Sequence, residues 1–147
     1  MKSLIVLALF ALSFCQNCFA QKFVIHRMNV SNSGEESLEE YLAPLSALTV
    51  LPGWEPGKEI SPPPITRAKA FEIVKEELRK RGVTEIREEQ FVITLQPGNL
   101  DEKELRKLPP NICRWHYVFS FSQNVSKAET VVVLMDGSLA EIKVTAK

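Results

Sequence analysis

A chain of 147 residues with two histidines and three cysteines offers few groups able to act as nucleophile, base or soft metal ligand. Cys113 and His116 lie closest together in sequence. Their spacing raises two possibilities, a thiolate activated by an imidazole or two of the four ligands of a zinc ion. Strand geometry opposes both, because residues three apart in a regular strand project to opposite faces. Residues 109–113 would have to bend sharply to bring thiol and imidazole together. Zinc would also want two further ligands, and the other histidine, His26, is far away in sequence. His116 therefore reads as a solvated strand residue. The carboxylates fall mostly into helical charge pairs, and no glycine-rich loop precedes a helix in a phosphate-cradling pattern. No catalytic residue, metal or cofactor is expected. Trp54, set among prolines and glycines, is the one large aromatic without an evident place in a core. It either pins its own segment down or meets a partner, so Trp54 and His116 are the candidate interaction residues.

Where these groups work is set by the first twenty residues. Lys2 precedes an apolar run from Leu4 to Leu12 that is too short to cross a bilayer of ~30 Å. Cys18 and Ala20 are small residues where a signal peptidase reads, which places cleavage before Gln21 and the protein in the periplasm or outside the cell. Removing residues 1–20 leaves 127, enough for one core and not for two. Cys15 and Cys18 leave with this segment, so Cys113 becomes a lone thiol, either buried or paired with another molecule; burial is the commoner state of a free cysteine. The mature part loses only Lys2 from a balance of 18 Lys and Arg against 18 Asp and Glu. Such neutrality gives no electrostatic footprint for nucleic acid. Two glycosylation sequons, at Asn29 and Asn124, matter only in a eukaryotic source.

The elements follow from periodicity and caps. Residues 22–30 make a short β-like run. Ser33 and Glu36 have capping-box spacing ahead of Leu38, Tyr41, Leu42 and Leu45, which predicts a short amphipathic helix that Pro44 stops or kinks. Residues 51–64, with Pro62-Pro63-Pro64, read as a stiff linker, so 21–61 forms an arm outside the main fold. The clearest helix runs from Thr66 as N-cap to Arg81, with Gly82 beyond its end. Its stripe is Ala70, Phe71, Val74 and Leu78, flanked by the pairs Glu76 with Lys80 and Glu77 with Arg81. Strands are predicted at 89–96 and 114–122, the second with Trp115, Tyr117, Phe119 and Phe121 on one buried face. Between them Asp101 and Glu104 open two helical turns over 102–108. Residues 129–145 read as a hairpin on a two-residue Asp136-Gly137 type I′ turn. That register opposes Val133 to Ala140 and puts Val131 and Val133 on the core side, with Thr130 on the open side. The expected fold is α+β: one main helix packed on a four-stranded antiparallel sheet, preceded by an N-terminal arm.

With helix and strands placed, residues 65–144 resemble the PepSY domain and the wider cystatin-like group of helix-on-sheet folds. Ile65-Thr66-Arg67-Ala68-Lys69-Ala70 is similar to the helix opening of PepSY repeats, Trp115-His116-Tyr117-Val118-Phe119 to their middle aromatic strand, and Thr130 to Ile142 to their closing hairpin. The segment 97–111 is an insertion relative to that pattern. The Gln-x-Val-x-Gly loop of cystatin inhibitors is absent, which argues against cysteine-protease inhibition. The resemblance implies an exported, non-catalytic module that binds or restrains another protein. A small-ligand carrier, with its pocket between helix and sheet, and a hydrolase whose residues converge only in three dimensions are the competing classes.

Overall fold

The structure, a computed structural model, describes residues 21–32, 34–49, 54–57, 62–124 and 127–147. The expected signal peptide, with Cys15 and Cys18, lies outside the described residues, as do Ser33 and most of the stretch from 50 to 61. In chain order come β1 (Lys22–Asn32), β2 (Glu35–Pro44), the one-turn α1 (Leu45–Leu48), the helix α2 (Arg67–Lys80), β3 (Phe91–Pro97), the one-turn α3 (Glu102–Leu105), β4 (Trp115–Asn124), β5 (Lys127–Val133) and β6 (Glu141–Ala146).

Helix α2 begins and ends where its local chemistry dictates. The Thr66 hydroxyl accepts from the Lys69 amide at 3.2 Å, capping the first turn. At the other end Gly82 sits at φ 87°, its amide donates to the Arg79 carbonyl at 3.0 Å, and the Val83 amide donates to Leu78 at 3.0 Å. This is a Schellman close, which satisfies two carbonyls that the helix itself leaves open. Ala70, Phe71, Val74 and Leu78 are buried, and the ion pairs Glu76–Lys80 (3.3 Å) and Glu77–Arg81 (2.9 Å) lie along the exposed flank.

The strands form two three-stranded antiparallel sheets, β1–β2–β6 and β3–β4–β5. This corrects the expected helix on a four-stranded sheet. The fourth strand, β6, leaves its neighbour β5 and pairs with β2, from Ser37 opposite Ala146 to Leu42 opposite Glu141. The expected arm is likewise corrected: residues 22–32 and 35–44 are two strands of a sheet. Where a helix is predicted over 36–45, the chain is strand β2, with Tyr41 and Ala43 turned into the core. The apolar positions 38, 41, 42 and 45 fit either period. Only two turns of helix would fit before Pro44, whereas the strand gains a hydrogen-bonded neighbour on each side.

The molecule is thus layered as α2, then the middle sheet β3–β4–β5, then the outer sheet β1–β2–β6. Between α2 and the middle sheet, Phe71, Phe91, Phe119 and Phe121 pack as a ring cluster, with Phe91 and Phe121 stacked at 4.8 Å and Phe71 edge-on to Phe91 at 5.4 Å. Between the sheets, Val118, Val132 and Leu134 meet Phe23, Ile25, Tyr41 and Ala43. Both faces of β5 are therefore covered, and Thr130, expected on an open side, is only 6 % exposed.

The turn after β5 also differs from its expected form. The Gly137 amide donates to Leu134 (3.0 Å), the Leu134 amide donates to Ser138 (2.9 Å), and of the loop residues only Gly137 has positive φ, at 85°. A type I turn followed by a left-handed glycine makes a three-residue loop with a bulge. Asp136 Oδ1 accepts from the Ser138 amide at 2.8 Å and from its hydroxyl at 2.6 Å, holding that form. The register slips by one, so that Val133 faces Leu139 and not Ala140.

The β3–α3 connection straps the free edge of β1. The Asn99 side chain accepts from the Arg27 amide (2.8 Å) and donates to the Arg27 carbonyl (2.7 Å), standing in for a neighbouring strand. Gly98 lies against Ile25, where an added Cβ would come 2.3 Å from the Ile25 carbonyl oxygen. Backbone cannot yield as a side-chain tip does, so Gly98→Ala is expected to cost about 2–3 kcal/mol in urea unfolding. A change under 0.5 kcal/mol would show that this strap is loose.

Candidate functional site

The segment following α3 builds a cleft of about 290 Å³ at one end of the layers. Asp101 caps α3 by accepting from the Glu104 amide at 2.8 Å, and Asn111 turns the chain with φ 60°, a conformation asparagine tolerates better than most residues. The Cys113 amide then donates to Leu48 at 2.7 Å, and the Gly98 amide donates to Arg114 at 3.1 Å. These bonds fix the backbone on which Arg114 and Trp115 stand. The cleft lies among Trp54, Trp115, Arg114 and the Pro109-Pro110 pair, with Glu55 also in its lining. Trp54 is 3 % exposed and packs into the helix-side core, so its indole forms a rigid wall. Trp115 is half-buried and Arg114 exposed. Chemically, the cleft presents aromatic faces, a proline ridge, the Arg114 guanidinium and the Glu55 carboxylate. Its volume is at the lower limit for small-molecule pockets and suits one or two side chains.

Cys113 and His116 do not meet. The thiol is buried in the helix-side core, its Sγ making a 3.9 Å contact with the Trp115 carbonyl. Burial pushes the Cys113 thiol up from its ordinary value, which keeps it protonated and a poor nucleophile. His116 lies on the opposite face of β4, between the sheets, and is 1 % exposed. This overturns its reading as a solvated strand residue. That reading assumed one wet face for the sheet, and the outer sheet covers it.

His116 instead meets His26, which the sequence sets ninety positions away. Their ring centroids are 5.3 Å apart with planes at 77°, and Tyr41 stands edge-on to His26 at 5.7 Å. His116 Nδ1 donates to the Arg114 carbonyl at 3.1 Å, leaving Nε2 as the bare nitrogen of the neutral ring. Neither His116 Nε2 nor His26 Nδ1 finds a hydrogen-bond partner among the described residues. Burial, and then the neighbouring His26, push His116 down to about 4; burial also lowers His26. No three or more His, Cys, Asp or Glu are grouped to hold a metal among the described residues.

Sequence reasoning singled out Trp54, Cys113 and His116; the structure places Trp54 and Cys113 in the helix-side core and His116 between the sheets. It missed Arg114 and Trp115 as a cleft wall, for which Pro109-Pro110-Asn111 immediately before them was the available signal. It also missed His26, whose approach to His116 depends on packing between sheets and leaves no local trace. Among the described residues no helix is long and apolar enough to cross a membrane. Compared with protein-family models, curated proteins and solved structures, the chain has no significant match.

Proposed function

We propose that the chain is an exported, non-catalytic binding module that engages another protein outside the cytoplasm, as the PepSY-like pattern implies, through the cleft between Trp54 and Trp115. The observation that carries this reading is the cleft's composition: two tryptophans and an exposed arginine on a backbone already held by hydrogen bonds. Tryptophan and arginine are the residue types that most often dominate protein interfaces, and a preformed wall avoids part of the ordering cost of association. The carrier alternative places its pocket between helix and sheet, a space occupied by the Phe71, Phe91 and Phe119 rings.

Two measurements test the reading. Intact mass of the processed protein is expected to start at Gln21, and a retained N-terminus would remove the argument for export. Affinity capture from the envelope or extracellular fraction is expected to yield a partner protein whose binding Trp115→Ala and Arg114→Glu each weaken at least tenfold, about 1.4 kcal/mol. Arg114 is exposed, so Arg114→Glu should melt near the parent, whereas half-buried Trp115 packs against the helix-side core, so Trp115→Ala is compared at a temperature where it is fully folded. Undiminished capture by both variants would move the interface elsewhere. A co-purifying small molecule in native mass spectrometry would favour the carrier.

A further inference from the structure

We propose that His26 and His116 form an acid-operated latch between the two sheets: protonation of the pair releases the outer sheet β1–β2–β6 while α2 and the middle sheet stay folded. The geometry is that of two imidazoles, 4 % and 1 % exposed, in edge contact within a largely apolar layer. A first proton would put a charge in that layer beside bare nitrogens, and a second would add a like charge whose ring centre lies only 5.3 Å away.

Among the described residues no carboxylate facing the pair offsets this, and the Arg114 carbonyl bonded to His116 Nδ1 does so only in part. From β2 comes Tyr41, whose hydroxyl donates to Glu39 at 2.6 Å and is held protonated by burial, then by Glu39. From β5 come Thr130 and Val132, and from β3 Gln96, the cross-strand partner of His116; none carries charge. From β6 the half-buried Ile142 joins the layer, while Lys143 pairs with Glu40 and Glu141 with Lys22. On β1 itself Arg27 is engaged by Glu40 at 2.8 Å and by Glu104 of α3. The carboxylates near the pair thus already have partners, and none contributes to the displacement of either imidazole.

The helix-side core is built differently. Cys113 and Tyr117 within it are both shifted upward by burial, so acid leaves these two groups neutral. For His116 the folded value, about 4, lies below the ordinary 6.5, so the closed state binds fewer protons than the open one between those limits. Closure is therefore fully favoured above pH 6.5 and is lost progressively as the pH falls towards 4. His116 alone shifts the closing equilibrium by up to roughly 300-fold across that window, and His26 adds in the same direction.

Amide exchange of the full processed chain, corrected for intrinsic rates and followed from pH 7.5 to 3.5, reads both layers at once. Protection of β1, β2 and β6 amides is expected to fall at least a hundredfold between pH 6.5 and 4, while α2 and β4 change less than threefold. His26→Gln/His116→Gln, in which glutamine at 116 keeps a donor for the Arg114 carbonyl, is expected to hold the outer sheet closed across the window. Glu40→Gln is expected to leave the midpoint in place. Loss of both layers together, no opening above pH 4, or the same midpoint in the double variant would each overturn the latch. Should the double variant not fold, imidazole proton resonances of the parent decide. Both rings must titrate together with the opening; titration near 6.5 with the outer sheet still closed refutes the proposal.

Discussion

Val133→Asp and Thr130→Asp are both expected to destabilise the fold by several kcal/mol, in the order of 3 or more each, in urea unfolding near neutral pH. For Val133 the reason is direct. It is fully buried against the helix side, and an aspartate there would be desolvated among Met135, Tyr117 and the ring cluster. For Thr130 the reason lies in the third layer. Its side chain faces the outer sheet and stands within hydrogen-bond reach of the fully buried Tyr41 hydroxyl, itself bonded to Glu39. A carboxylate at 130 would crowd two acids around one phenol. A one-sided sheet predicts a different result, a severe loss at 133 and a change within about 1 kcal/mol at 130. That outcome would show that the outer sheet does not cover β5.

Phe119→Ala should be the most damaging truncation in the helix-side core, costing about 3–5 kcal/mol. Phe119 is fully buried at the centre of the ring cluster, 6.2 Å from Phe71, 6.4 Å from Phe91 and 6.3 Å from Tyr117. Its neighbours sit on α2, β3 and β4, so no single element can move in to fill the void. Val92→Ala is the matched control. Val92 lies on the adjacent strand on a face that the outer sheet does not reach, is 67 % exposed, and should change stability by less than about 0.5 kcal/mol. Melts of the two variants measured together check the layer assignment. Comparable losses would contradict it.

What the sequence made legible was local. Thr66, Gly82 and the apolar stripe of α2 act within one or two turns, and the helix lies where they place it. The aromatic face of β4 was legible for the same reason, since alternation is a nearest-neighbour property. The Asp136-Gly137 loop was half legible. A glycine with positive φ suits both a two-residue and a three-residue turn, and the choice rests on Asp136 bonding Ser138 and on which sheet takes β6. The segment 36–45 was misread because its apolar spacing fits two periods and one of its two pairing partners lies a hundred residues away. The candidate site divides along the same line. Trp54 and Cys113 stood out by type, whereas the partners that give His116 its meaning are set by contacts between sheets.

The handover of β6 from β5 to β2 has a kinetic consequence. β2 is the centre of the outer sheet, and half of its ladder is closed by residues 141–146, while Lys22 on β1 bonds Glu141 at a separation of 119 positions. Contacts of such long range carry a loop-closure cost before they return any stability, which slows folding. The α2–β3–β4–β5 unit, contiguous in sequence, can assemble first. Until β6 arrives, β1 and β2 are a two-stranded ribbon with one apolar face uncovered, and a lone hairpin is marginal in water. The interval between translation of β2 and of β6 is therefore the period when this chain most exposes apolar strand surface to other molecules, and a holding chaperone would act on that ribbon.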